Sequence, residues 1–213
     1  MTVLFDLDGT LIDSIELIRQ SYVHTWRTHL GRELEPDEWL ASLGRTLYAE
    51  CARVAPDGDQ AEADRMVATY RAHNLAHHDE MVHAYDGVPE MLKGLATAGV
   101  RVGIVTSKTA SMARRGLEVS GLDADQFEVL VGADDVTRHK PLPDPILAAC
   151  DQLGLDPTTT TYVGDSPHDI TACRAAGART IAVAWGPFPR ASLDSWGADF
   201  VAEHPRDLLR LSA

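Results

Sequence analysis

This sequence is short of cysteine, of lysine and of long apolar runs. Its 213 residues include three cysteines, Cys51, Cys150 and Cys173, with no CxxC pair among them. An odd number without paired spacing argues against a disulfide framework and a zinc ribbon, and suits small apolar residues buried in a reducing compartment. No run approaches the roughly 18 uncharged apolar residues of a membrane helix, so no membrane partner is expected. Met1-Thr2 passes directly into Val3-Leu4-Phe5, without the basic region, longer apolar stretch and small-residue cleavage site of a secretory signal. A soluble, cytoplasmic protein is the expectation. Positive charge is also scarce: 19 Lys and Arg face 32 Asp and Glu, for a net charge of −13. That field opposes a nucleic-acid backbone, so nucleic acid is not an expected partner. A small anionic substrate stays compatible, because a local cluster of cation and backbone donors outweighs a diffuse field that salt screens over about 10 Å. Only three basic residues are lysines, Lys93, Lys108 and Lys140.

What is present is a succession of short β-branched, apolar runs, each ended by turn residues and separated by helical patterns. The runs are Val3 to Leu7, Val102 to Val105, Val129 to Val131, Thr161 to Val163, Thr180 to Val183 and a weaker Phe200-Val201. Helical patterns cover Pro89 to Ala98, Ala110 to Ser120, Asp144 to Leu153 and Asp169 to Ala176, and Gly99, Gly121, Gly154 and Gly177 follow them as helix stops. Such βα alternation predicts an α/β fold, a doubly wound parallel sheet with Rossmann-like order. The exception is Ser14 to Tyr85, which offers no convincing strand. It reads as helices over Glu16 to His29, Pro36 to Leu43, Thr46 to Val54 and Asp59 to His78, all with apolar residues at three-to-four spacing. The expected organisation is an α/β core over residues 1–14 and 86–213, interrupted by a small helical domain over 15–85. There is no internal repeat or low-complexity tract.

Acidic and hydroxyl residues gather where these strands end. Asp6-Leu7-Asp8-Gly9-Thr10 follows the first strand, at the carboxyl edge where open α/β sheets bind their ligands. The i, i+2 spacing directs both carboxylates to one side. A turn whose aspartates cap backbone amides is the plainer reading. A calcium loop is excluded, since Leu11 and Leu17 stand where its glycine and bidentate acid belong. Thr106-Ser107-Lys108 follows the second long strand at a helix start, where free amides favour a phosphate, although an ordinary N-cap has the same form. Arg138-His139-Lys140-Pro141-Leu142-Pro143 holds a lysine on a proline-stiffened loop. Gly164-Asp165-Ser166-Pro167-His168-Asp169 brings two carboxylates around another helix start. Their oxygens suit Mg²⁺, while Asp169 alone reads equally as a partner of the helix dipole.

Together these residues resemble the haloacid dehalogenase-like hydrolase superfamily, whose four signature motifs recur in order: DxDxT at Asp6 to Thr10, strand-end Thr106, Lys140, and GDxxxD at Gly164 to Asp169. The resemblance spans the whole chain and implies an Mg²⁺-dependent phosphatase, with the helical segment at the position of the family's C1 cap. By that resemblance Asp6 is the nucleophile and becomes phosphorylated, and Asp8 is the general acid and base. Thr106, Ser107, Lys108 and Lys140 bind phosphate, and Asp6, Asp165, Asp169 and the main-chain carbonyl of Asp8 surround the metal. Counting Asp6, Asp165, Asp169 and a phosphate dianion against Mg²⁺ and Lys140 leaves the centre anionic, which predicts a raised pKa and a protonated Asp8.

The implied substrate is a small phosphorylated metabolite. Gly44-Arg45-Thr46-Leu47 lies where related caps present a substrate loop, and Arg45 could pair with a second anionic group, although Thr46 replaces the proline frequent there. Two closer resemblances compete. LFDLDGTLIDS is similar to the opening of phosphoglycolate phosphatases, whereas Tyr70-Arg71 through His78-Asp79-Glu80 and Gly164 to Ile170 resemble the bacterial pyrophosphatase branch. A phosphomonoesterase is the first expectation, a pyrophosphatase the second and a sugar phosphomutase the third. A response-regulator-like phosphoacceptor is the non-enzymatic alternative, but receivers place the acceptor later and lack DxDxT. His73, His77, His78 and His83 form a sequence cluster that reads as cap helix and hinge, not metal site. Tyr22, Trp26, Trp39 and Tyr70 read as cap core. Monomer and homodimer are equally compatible with the sequence.

Overall fold

The computed structural model describes residues 1–212. Six strands form one parallel sheet: β1 (Thr2–Phe5), β4 (Arg101–Val105), β5 (Val129–Val131), β6 (Thr160–Gly164), β7 (Arg179–Val183) and β8 (Phe200–Ala202), in the order β5-β4-β1-β6-β7-β8. β1 lies in the middle, with Phe5 beside Ile104 of β4 and Val163 of β6. The chain therefore winds outward in both directions from β1, and the crevice at its carboxyl end is the switch point of a doubly wound α/β fold.

Side-chain alternation builds a core on each face of the sheet. Val3, Phe5, Val102, Ile104, Val163, Ile181 and Val183 face α5 (Val88–Thr97) and α6 (Ala110–Val119), whose Leu92, Leu95, Ala113 and Leu117 join the same cluster. Leu4, Val105 and Tyr162 face the other way, toward Ile146 and Cys150 of α7 (Asp144–Leu153) and Ala172 and Cys173 of α8 (Pro167–Ala176). Period-two burial on both faces explains why these strands read as nearly continuous apolar runs. The four expected glycine stops all adopt positive φ, between 65° and 79°. All three cysteines are buried and unpaired. Among the described residues, no helix is long and apolar enough to cross a membrane.

The segment after β1 is helical as expected: α1 (Ile15–Leu30), α2 (Pro36–Ser42), α3 (Leu47–Val54) and α4 (Gln60–Met81). It has its own apolar cluster, in which Tyr22 and Trp26 of α1 meet Cys51 of α3 and Met66 and Tyr70 of α4. Thr46, where proline was the family expectation, caps α3 by accepting from the Ala49 amide at 3.3 Å. Two features went unforeseen. The chain leaves and re-enters the sheet layer through a two-stranded antiparallel ribbon, β2 (Ile12–Asp13) with β3 (His83–Ala84), each too short to carry a periodic signal. The first strand ends at Phe5 instead of Leu7, because the Leu7 carbonyl turns to accept the amides of Thr10, Leu11 and Ile12. A short α9 (Arg190–Leu193) and a 3₁₀ helix over Pro205–Ser212 complete the described chain.

Candidate active site

The turn after β1 presents Asp6 and Asp8 to one cavity, which Thr106, Ser107, Lys108 and Asp165 also line. Gly9 makes that turn possible. Its φ is +81°, and a Cβ there would lie 2.5 Å from the Asp165 carboxylate. Thr10 then donates to Asp165 Oδ1 at 3.1 Å.

Lys140 is the buried hub. Its Nζ donates to Asp6 Oδ1 at 2.8 Å, Asp169 Oδ1 at 2.7 Å and the Tyr162 hydroxyl at 3.0 Å, and approaches the Val105 carbonyl at 3.4 Å. Burial alone would lower its pKa, but Asp169 and Asp6 outweigh that and hold the ammonium above its ordinary value. Asp169 is fully occupied: its Oδ2 accepts the Ser166 amide at 3.0 Å and hydroxyl at 2.6 Å in a capping box at the start of α8. Burial would raise its pKa, yet Lys140 and Ser166 hold the carboxyl below its usual value. Asp169 thus caps α8 while it lies among the acidic residues around Lys140.

Asp6, Asp165 and Asp169 are buried, with one oxygen from each within 4.8 Å of the others. Lys140 is the ammonium that serves them. Burial pushes Asp6 up to about 7, only partly countered by Lys140, and pushes Asp165 well above its ordinary value with help from Asp169 and Asp6. This is a hard-oxygen donor set short of positive charge, and a divalent cation such as Mg²⁺ fits it in both respects. Asp6 and Asp165 each keep one carboxylate oxygen outside the hydrogen bonds to Lys140 and Thr10. The Asp8 side chain lies outside this trio.

Other candidate residues have partners within the protein. Asp8 Oδ1 accepts from Lys108 Nζ at 2.6 Å and also from the Ser14 hydroxyl, so Asp8 has an ammonium of its own. Ser107 is engaged with the helical segment, donating at 2.7 Å to the Gly44 carbonyl, while Thr106 Oγ1 accepts the Lys108 amide at 3.2 Å. Gly44 sits close to the sheet layer at φ +84°, where a Cβ would lie 2.7 Å from Ser166 Oγ. Arg45 lines the cavity but donates to the Ala41 carbonyl at 3.2 Å and lies 3.8 Å from buried Glu50. Arg71, named in the sequence only as part of the pyrophosphatase-like stretch and given no role there, lines the same cavity without an ion pair among the described residues. The four histidines do not converge. His73 and His77 pack at 4.8 Å with His24 beyond them, His78 is buried, and His83 lies on the ribbon facing Asp13. Tyr22 and Tyr70 are core residues, as expected, yet also form part of the cavity wall.

Three similarities agree with this geometry. A pyrophosphatase PpaX of Bacillus cereus (strain G9842) is 38% identical over 208 residues, covering 98% of this chain and 94% of that one. A phosphoglycolate phosphatase candidate from Lactobacillus plantarum superposes with a TM-score of 0.85 at 25% identity, over 99% of this chain and 98% of that chain. CbbY from Rhodobacter sphaeroides, in complex with xylulose-1,5-bisphosphate, superposes with a TM-score of 0.81 at 25% identity, over 97% and 95%. The profile of the haloacid dehalogenase-like hydrolases matches residues 3–183, from the strand that delivers Asp6 to the end of β7, and the chain belongs to that family.

Proposed function

We propose that this hydrolase is an Mg²⁺-dependent phosphatase that transfers the phosphoryl group of a small organic phosphomonoester to Asp6 and then to water. The observation that carries the reading is the buried Asp6 on the cavity wall, held by Lys140 and crowded by Asp165. Asp6 and Asp165 would hold Mg²⁺, with the Asp8 main-chain carbonyl beside them and Asp169 behind. The ion when bound supplies positive charge to the carboxylates and to the transferring oxygens.

In the first displacement an Asp6 oxygen forms a bond to phosphorus as the bond to the leaving oxygen breaks, and Asp8 gives that oxygen a proton. In the second displacement water attacks the aspartyl phosphate, Asp8 takes a proton from it, and inorganic phosphate leaves Asp6 as a carboxylate. Thr106 and Lys140 steady the phosphoryl oxygens and Asp6 throughout. The helical segment over residues 15–85 serves as the cap. Gly44 docked on Ser107 holds it against the sheet and excludes water from an intermediate that must meet one acceptor.

Pyrophosphate hydrolysis is the second reading, favoured by the name of the 38% identical relative. The bisphosphate bound in the CbbY complex favours an organic ester. Phosphate release over many turnovers, assayed with and without Mg²⁺, tests the proposal. Sustained release that EDTA abolishes is the expected result; one stable phosphorylation without turnover would contradict it.

A further inference from the structure

The cavity over Asp6 is much larger and much more apolar than a phosphate needs. Its volume is about 630 Å³, within the range of pockets that enclose organic molecules. Asp6, Asp8, Thr106 and Lys108 line it from the sheet layer, and Arg45 and Arg71 add two guanidinium groups from the helical layer. The rest of the wall includes Ile18 and Tyr22 of α1, Leu47 and Tyr48 of α3, and Tyr70 and Leu75 of α4. This space exists with the Gly44 loop already docked on Ser107, so it is not merely a gap left by an undocked helical layer.

Two of these residues stand out. Tyr48 is 44% exposed and Leu75 is 50% exposed, and both are among the few large apolar side chains the fold leaves in contact with water. Neither belongs to any of the apolar clusters that hold the fold together. An isolated exposed leucine is ordinary, but two such residues on different helices, lining one cavity with Asp6 and Lys108, form an apolar surface that folding does not use.

We infer that the leaving group of the substrate is a hydrophobic alcohol: the site takes an alkyl or aryl phosphomonoester in preference to pyrophosphate or phosphoglycolate. The inference rests on the phosphatase reading above and deepens it. Pyrophosphate and phosphoglycolate can each meet Arg45 or Arg71, but both would leave the apolar wall facing water. An apolar alcohol buries that wall, and does so in the transition state as well as in the bound ester. In the balanced reaction Asp6 takes the phosphoryl group, the P–O bond to the alcohol breaks, and the alcohol leaves with the proton from Asp8.

The test is a series of unbranched alkyl phosphates, ethyl, butyl and hexyl, whose alcohols have nearly the same acidity, so that differences in kcat/KM report the cavity. Pyrophosphate and phosphoglycolate are run beside them with Mg²⁺. Each buried methylene should raise kcat/KM about two- to fourfold, giving at least a tenfold rise from ethyl to hexyl phosphate. The rise should flatten in Leu75→Ser and Tyr48→Ser, whose exposed side chains make folding failure no explanation. A flat or falling series, a preference for pyrophosphate or phosphoglycolate, or a rise untouched by both variants overturns the inference while leaving the phosphatase reading intact. Absence of phosphate release from every compound overturns both.

Discussion

Lys140 gathers the ends of three strands and the start of a helix at one nitrogen, through Asp6 after β1, Val105 at the end of β4, Tyr162 within β6 and Asp169 in α8. Tyr162 is the member whose loss can be read separately. Its hydroxyl lies 3.0 Å from both the Val105 carbonyl and Asp169 Oδ1, and accepts from Lys140. Tyr162→Phe should cost about 1–2 kcal/mol of stability in urea denaturation. It should also lower kcat about tenfold with little change in KM, because Lys140 loses one of the groups that fix it. An unchanged kcat would show that Asp6 and Asp169 suffice to position the ammonium. The sequence displayed Lys140, Asp6, Asp165 and Asp169 because each stands in a loop after a legible strand or at a helix start. Tyr162 was hidden, since a tyrosine inside a strand reads as core and only the fold brings its hydroxyl to a lysine 22 positions earlier. Glu50, which lies 3.8 Å from Arg45, was hidden as well, because a buried glutamate is indistinguishable in sequence from a solvated helix acid.

At the scale of elements, strand and helix positions were legible to within a few residues because both faces of the sheet are buried and the helix ends carry glycine. The ribbon of Ile12–Asp13 with His83–Ala84 was not, as it joins segments about 70 positions apart through two residues each. The loop between α2 and α3 carries the next test. Gly44→Ala places a side chain at φ +84° and 2.7 Å from Ser166 Oγ, a conformational cost of about 1–3 kcal/mol before any displacement. The loop should leave Ser107, lowering kcat/KM about tenfold while the thermal midpoint changes little, because docking can be lost without global unfolding. Full activity would show that the contact is incidental. α2 itself is tied down by Glu38, which accepts from Arg32 at 2.7 Å and from the Trp26 indole at 3.2 Å. The Arg32 hydrogen bond, working against burial, lowers Glu38 to about 2 from a usual value near 4.5. A lowered acid stabilises the fold above its unfolded pKa, and that contribution is lost as pH falls through the folded one. Glu38→Gln should therefore lower stability by about 1–2 kcal/mol at pH 7 and make it less sensitive to pH between about 4.5 and 2. An acid limb identical to that of the parent would remove Glu38 as an anchor.

Over the whole molecule, chemistry and selectivity come from different layers. The sheet layer supplies Asp6, Asp8, Thr106, Lys108, Lys140 and Asp165, whereas the helical layer supplies most of the apolar wall and the Gly44 contact that joins the two. The first set follows motif order along the chain and was accessible to sequence reading. The second depends on which side chains two packed helices leave uncovered, and Tyr48 and Leu75 acquire meaning only from the cavity they share.

The central claim is that Asp6 is the phosphoryl acceptor. It is tested most directly by mixing the Asp8→Asn protein with Mg²⁺ and ³²P-labelled acetyl phosphate, whose leaving group needs no proton from Asp8, quenching in acid and mapping the label to a peptide. The account predicts about one acid-stable, alkali-labile phosphate per molecule on the peptide containing Asp6, and none when Asp6 is also changed to Asn. Label on another residue, or phosphate released at the parent rate with Asp6 changed to Asn, would contradict it.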